Sequence, residues 1–268
     1  VSAASTRRLI VADSFRVRAN PRTAAAEVRG LADHLRRFRF SALGQLPGAD
    51  TRARIDVFLD EAVDRIAEYG EGFPRLELWE AEHAGGDAEL SLSLRPLPEL
   101  RDTIELRSAP GVLLDHPERK GPNISRLAEL NRRLGAEALL LDGAGRAVVE
   151  GATTSLIWWG DAGDSSGRFV ADARAKGRAN RVPSVTEGLL RRAADARLVR
   201  RKPERQSGSL SPATPTVAEL AGAEVWAVNA LHGIRVVTSI DGVPQAAPEE
   251  RRLRWFREAL NRCWHPLG

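Results

Sequence analysis

The sequence predicts an α/β protein of the α+β kind, built as two domains. Three observations carry that reading. Stretches of period-two hydrophobicity and stretches of helical period succeed one another with no internal repeat. The segment APGVLLDHPERKGP spaces proline and glycine as a connector does, and the pattern starts afresh after it. The 268 residues, 43% of them apolar, suffice for two domains of ordinary size, each with its own core. The connector places the boundary between Pro110 and Asp115, so the expected domains are 1–112 and 113–268.

Leu9 to Val17 (LIVADSFRV) predicts a strand, and Gly30 to Leu46 a helix with Leu31, Leu35, Phe38 and Ala42 on one side. From Thr51 to Tyr69, Ile55, Phe58, Leu59, Val63 and Ile66 recur at helical spacing until GEGFP breaks the run. PRLELWEA and AELSLSLRPLP alternate apolar and polar residues around HAGGD, which predicts a hairpin, and DTIELRSAP adds a strand to this first layer. Beyond the connector, NISRLAELNRRLG is a helix from about Asn123 that Gly135 ends. EALLLD and RAVVEG flank DGAG as a second hairpin, TTSLIWWG continues as a strand, and DAGDSSG turns the chain. VTEGLLRRAADAR predicts a helix opened by Ser184 or Thr186, whereas RKPERQSGSLSPATPT reads as polar loop. AEVWAVNAL and RVVTSIDG are strands joined through HGI, and EERRLRWFREALNRCW closes the chain as a helix.

Of the 40 basic residues only Lys120, Lys176 and Lys202 are lysines. Arginine cannot lose its proton under ordinary conditions, so a retained lysine draws interest as an amine able to condense with a carbonyl. Taken alone, Lys120 reads as an ordinary surface lysine. The formal charge of +4 comes from arginines interleaved with 36 acidic residues, not from a basic block, and aromatic residues are few. Nucleic acid is therefore not an expected partner. The single cysteine, Cys263, excludes an intramolecular disulfide and a cysteine-based zinc site, and no metal is expected. With no secretory pattern and no apolar run of membrane-spanning length, the expected setting is the cytoplasm, away from membranes.

Four motifs follow in order. HLRRF runs from His34 to Phe38; Lys120 precedes Asn123, a helix, GAEALLLD and EGATTS; then come VPSVTEGLL and VNALHGIRVV. In order and spacing they resemble the class IV (fold type IV) pyridoxal-phosphate aminotransferases, among them branched-chain and D-amino-acid aminotransferases and 4-amino-4-deoxychorismate lyase. The resemblance spans about Leu9 to Gly242 and implies a small N-terminal α+β domain, a larger C-terminal domain with a barrel-like sheet, a cofactor cleft between them, and a homodimer.

It also implies roles. Lys120 would bind pyridoxal 5'-phosphate through its ε-amine and then shuttle the substrate's α-proton. Glu150 would sit beside the pyridine nitrogen and keep it protonated. Arg37 would clamp the phosphate, with the Val185 and Thr186 amides, the Thr186 hydroxyl, and the turn at Asn229 and Ala230 completing its cup. Thr154 is a further cofactor candidate, and Arg75, Arg95 and His232 are candidates for facing substrate. Each has a plainer reading: a solvated arginine run for Arg37, a turn carboxylate for Glu150, a helix cap for Thr186, a strand-end buckle for Asn229 and a surface loop for His232.

The chain departs from the family at VADSFRV, where glycines are lost and Arg16 replaces an acid, at Ser184 in place of the phosphate-loop glycine, and at Ser155 in place of an asparagine. The activity implied is amino transfer between an amino acid and a 2-oxo acid. The alternatives are aminodeoxychorismate lyase, toward which the VNAL turn leans, and a non-catalytic descendant that has lost the cofactor.

Overall fold

The computed structural model describes residues 7–46, 48, 50–81, 87–160, 167–172, 174–175, 178–199 and 210–267. The chain divides into two compact units, one of residues 1–99, 119–124 and 264–268, the other of residues 100–118 and 125–263.

In the first unit, strands β1 (Leu9–Ser14) and β2 (Val17–Ala19) lead to β3 (Ala26–Arg29). Helices α1 (Leu31–Leu43) and α2 (Thr51–Tyr69) and strands β4 (Arg75–Trp79) and β5 (Glu89–Ser93) follow. The strands form an antiparallel β1-β4-β5 sheet and a smaller sheet in which β3 pairs with β2 and with Trp264–Pro266. Helix α1 buries His34, Phe38 and Ala42, four residues apart, and packs against β1. Helix α2 buries Ile55, Leu59, Ala62 and Ile66 on one stripe. The expected hairpin is present as β4 and β5, though most of its HAGGD turn lies outside the described residues. The expected strand from Leu9 to Val17 breaks after Ser14, because Phe15 turns into the core and β2 then pairs with β3 instead.

The second unit opens with β6 (Thr103–Ala109) and holds α3 (Ile124–Leu134) from its second residue on. Strands β7 (Glu137–Leu141), β8 (Val148–Gly151), β9 (Ser155–Trp159), β10 (Gly167–Val170), β11 (Arg174–Ala175) and β12 (Arg178–Ala179) come next. Then follow α4 (Val185–Val199), β13 (Leu210–Ala213), α5 (Val217–Leu220), β14 (Glu224–Asn229), β15 (Gly233–Ile240), β16 (Val243–Pro244) and α6 (Glu250–Asn261). The main sheet runs β13-β10-β9-β14-β15-β6-β7-β8, with β16 added to β15. Strand β8, at one end of this order, also packs against β9 and β10 near the other end, so the sheet curls into a half-barrel. Trp159 of β9 and Trp226 of β14 meet Phe256 of α6 on one face of the sheet, with ring centroids 4.4–5.9 Å apart, and α4 packs on the same two strands and on α6.

The structure corrects the sequence expectations for β6 and β13. Strand β6 belongs to the half-barrel, not to the first layer, because it pairs in parallel with both β15 and β7. The compact units part between Glu99 and Leu100, and the short stretch carrying Lys120 belongs to the first unit. Strand β13 lies within the stretch read as loop, since it pairs with β10; residues 201–209 of that stretch, and most of the DAGDSSG turn, lie outside the described residues. Phe256→Ala, which empties the aromatic centre, is expected to lower stability by about 3–5 kcal/mol in chemical denaturation.

Candidate active site

Lys120 is positioned by backbone. Its carbonyl accepts a hydrogen bond from the Ala12 N–H of β1 at 2.7 Å. The next residue, Gly121, has φ +141°, and a Cβ there would lie 2.8 Å from the Val11 Cα and 2.9 Å from the Ile10 carbonyl oxygen. Only glycine lets main chain pack on main chain at that distance.

The structure gathers several charged groups around that amine. Arg37 from α1 donates Nε to Asp13 Oδ2 and Nη2 to Asp13 Oδ1, each at 2.7 Å, and His34 Nδ1 lies 2.8 Å from Asp13 Oδ1. Arg75 pairs with the buried Glu77, and Arg95 donates to the Phe73 carbonyl and to Ser14 Oγ, both at 3.1 Å, while lying over the Phe73 ring. Burial pulls the Lys120 ammonium down to about 8; Asp13 opposes the shift, and Arg37, Arg95 and Arg75 reinforce it. Burial alone would push Asp13 up, but Arg37 and His34 hold its carboxyl well below the usual range. His34 is depressed by burial against the pull of Asp13. Lys120 nonetheless keeps some accessible surface.

In the second unit, Glu150 stands on β8 opposite Leu140. Burial pushes its carboxyl up to about 8, with Glu187 and Glu137 adding to the rise and Arg181 and the Val182 amide resisting it. The turn after it is braced by Glu137, which accepts from the Thr153 N–H at 2.8 Å, Thr153 Oγ1 at 3.0 Å, Thr154 Oγ1 at 2.7 Å and Arg235 Nη2 at 3.2 Å. Thr154, a cofactor candidate by sequence, thus directs its hydroxyl proton to Glu137. Asn229 links two turns: its Nδ2 donates to the Thr153 carbonyl at 3.3 Å, and its Oδ1 accepts from the Leu231 and His232 amides at 3.1 and 2.9 Å. Ala230 lies in the same turn. His232 accepts at Nδ1 from the Arg101 N–H at 3.2 Å.

Val185 and Thr186 are buried in the first turn of α4, with the Ser184 hydroxyl accepting from the Glu187 amide at 3.2 Å. Beside that turn, the buried Arg181 forks onto Glu187 at 2.9 and 3.1 Å and also donates to the Val170 carbonyl at 2.8 Å. A helix start is suited to an anion.

Three residues absent from the sequence reading carry much of this architecture. Asp13 and Glu137 are single acids within apolar runs, and that is a signal, because a carboxylate in a strand core must find partners. Arg181, in a polar stretch, gives no such sign.

The raised Glu150 value has a thermodynamic consequence. The folded chain keeps a proton that the unfolded chain releases between the ordinary glutamate value and about 8, so Glu150 makes stability fall as pH rises through that window. Glu150→Gln should remove that component. Thermal melts should show the variant close to the native protein at pH 5 and melting higher than it at pH 9; parallel pH slopes would contradict the assignment.

Among curated proteins no relative is detected. Solved structures align over nearly the whole chain. A branched-chain amino acid aminotransferase of T.th., complexed with N-(5'-phosphopyridoxyl)-L-glutamate, has a TM-score of 0.70 at 19% identity, over 96% of this chain and 89% of that one. A putative 4-amino-4-deoxychorismate lyase of Legionella pneumophila gives 0.72 at 17% identity, over 94% and 90%. A hypothetical aminotransferase of Mycobacterium tuberculosis, bound to alpha-ketoglutarate and PMP, gives 0.67 at 18% identity, over 94% and 88%. These similarities establish the fold type IV architecture. The family described as amino-transferase class IV matches residues 11–240, and the chain belongs to it.

Proposed function

We propose that the protein is a pyridoxal 5'-phosphate-dependent aminotransferase acting between an amino acid and a 2-oxo acid. The observation that carries this is the class IV membership of a chain whose Lys120 is rooted by backbone on β1, its amine eased toward deprotonation by burial and by Arg37, Arg95 and Arg75. A lysine in that state is free enough to bind an aldehyde carbon and to accept a proton near neutrality.

The donor set fits the cofactor. Lys120 would hold its aldehyde carbon. Arg37, the amides of Val185 and Thr186 and the Thr186 hydroxyl would receive its phosphate, and Glu150, which holds a proton up to about 8, would share that proton with the ring nitrogen. When bound, the cofactor supplies the electron sink for the pair left behind as the substrate's α-proton departs. The remaining work falls to the chain. Arg75 and Arg95 would hold the substrate carboxylate and so present the α-hydrogen, and Lys120 Nζ would remove that hydrogen and return it. Arg95 is suited to this role because its Nε and one Nη are fixed to Phe73 and Ser14, which limits the guanidinium's freedom before substrate arrives.

A second reading, aminodeoxychorismate lyase, draws on one observation. The turn at Asn229 offers Ala230, without a hydroxyl, and the Asn229 amide is engaged within the protein. That turn therefore presents less side-chain hydrogen bonding than the family's aminotransferases more often carry there.

Two measurements test the proposal. The purified protein should absorb in the visible, and the band should change when an amino donor is added. Keto-acid-dependent amino transfer supports the first reading, whereas release of pyruvate and 4-aminobenzoate from aminodeoxychorismate selects the second; a colourless protein inert in both assays contradicts both. Arg95→Gln should lower kcat/KM by about 10- to 100-fold, mostly through KM, as expected for loss of a charge-assisted hydrogen bond to a carboxylate.

A further inference from the structure

Strand β1 contributes two things to Lys120. The Ala12 N–H fixes its carbonyl, and the next residue, Asp13, is a carboxylate with no accessible surface. A carboxylate so far from water keeps its charge only when paired on both oxygens, as Asp13 is, by Arg37 and His34. Removing either partner would leave a buried charge under-satisfied, so the three side chains hold one another in place.

The groups that face the Lys120 amine come from every element around it: Asp13 from β1, Arg37 from α1, Arg75 from β4 and Arg95 from the segment after β5, with His34 beside Asp13. Three of these are permanent cations and one is an anion. With the cations alone, a buried ammonium would be expelled toward water or stripped of its proton across the whole working range. One negative charge restores the balance, leaving an amine that can both take up and give back a proton near neutrality.

We propose that Asp13 is a positioning residue of this site, whose carboxylate locks Arg37 and His34 and supplies a negative charge that seats the Lys120 amine. The inference rests on Lys120 being the reactive amine of the proposed function, and it does not require the cofactor to be bound.

The test uses the full chain freed of any bound cofactor. Reductive methylation with formaldehyde and cyanoborohydride is followed across pH by mass spectrometry of the Lys120 peptide. The native midpoint should lie near 8. In Asp13→Asn it should fall by about one unit or more, which is roughly tenfold more labelling at a pH below both midpoints, and Asp13→Glu should recover most of the native value. A folded Asp13→Asn protein with the native midpoint would overturn the proposal. Should Asp13→Asn not fold, Arg37→Gln is compared with the Asp13→Asn/Arg37→Gln double variant, in which no buried arginine is left facing a neutralised partner. The double variant should then titrate lower than Arg37→Gln, and equal midpoints would overturn the proposal. A native protein without visible absorbance would count against the proposed function yet leave this comparison intact, so the two failures can be told apart.

Discussion

The seam between β1 and the Lys120–Gly121 backbone is the constraint on which the rest depends. A lysine side chain has four rotatable bonds, and its amine is useful only if its root is fixed. The root here is fixed by main chain: one hydrogen bond from Ala12 to the Lys120 carbonyl, and a glycine with no Cβ where the strand backbone would collide with one. Because β1 also pairs with β4 and supports α1, the same strand sets where Asp13, Arg37 and Arg75 stand. A displacement of β1 would move the amine and its electrostatic surroundings together.

Each unit solves an opposite electrostatic problem by the same means. In the first, burial destabilises a cation and neighbouring guanidiniums add to the effect, so an amine becomes easier to deprotonate. In the second, burial destabilises an anion and neighbouring carboxylates add to the effect, so an acid becomes harder to deprotonate. In both a counter-charge limits the shift: Asp13 for Lys120, Arg181 for Glu150. An amine drawn down and a carboxyl pushed up thus both arrive near 8, each through its own surroundings.

Much of this was legible in the sequence. Helix α2 spans Thr51–Tyr69 as its apolar spacing indicated, and the EALLLD and RAVVEG segments pair as the DGAG turn implied, because those signals are local. What escaped was non-local. The alternation in DTIELRSAP marks a strand but not its partners, and β6 joins the half-barrel because β15 and β7, far along the chain, each offer it an edge. Lys120, Glu150 and the start of α4 were singled out by motif order. The bracing was not: Glu137 gathering Thr153, Thr154 and Arg235, and Arg181 forking onto Glu187, are pairings that spacing cannot encode. Glu187, at the start of α4, likewise becomes intelligible only in space, where it meets Arg181.

With only three lysines in the chain, the central claim has a direct test: borohydride reduction of the purified protein, digestion, and mass mapping of the phosphopyridoxyl adduct. The account requires the adduct on Lys120 and none on Lys176 or Lys202. An adduct on either of those, or no adduct in a protein that carries the visible chromophore, would contradict it.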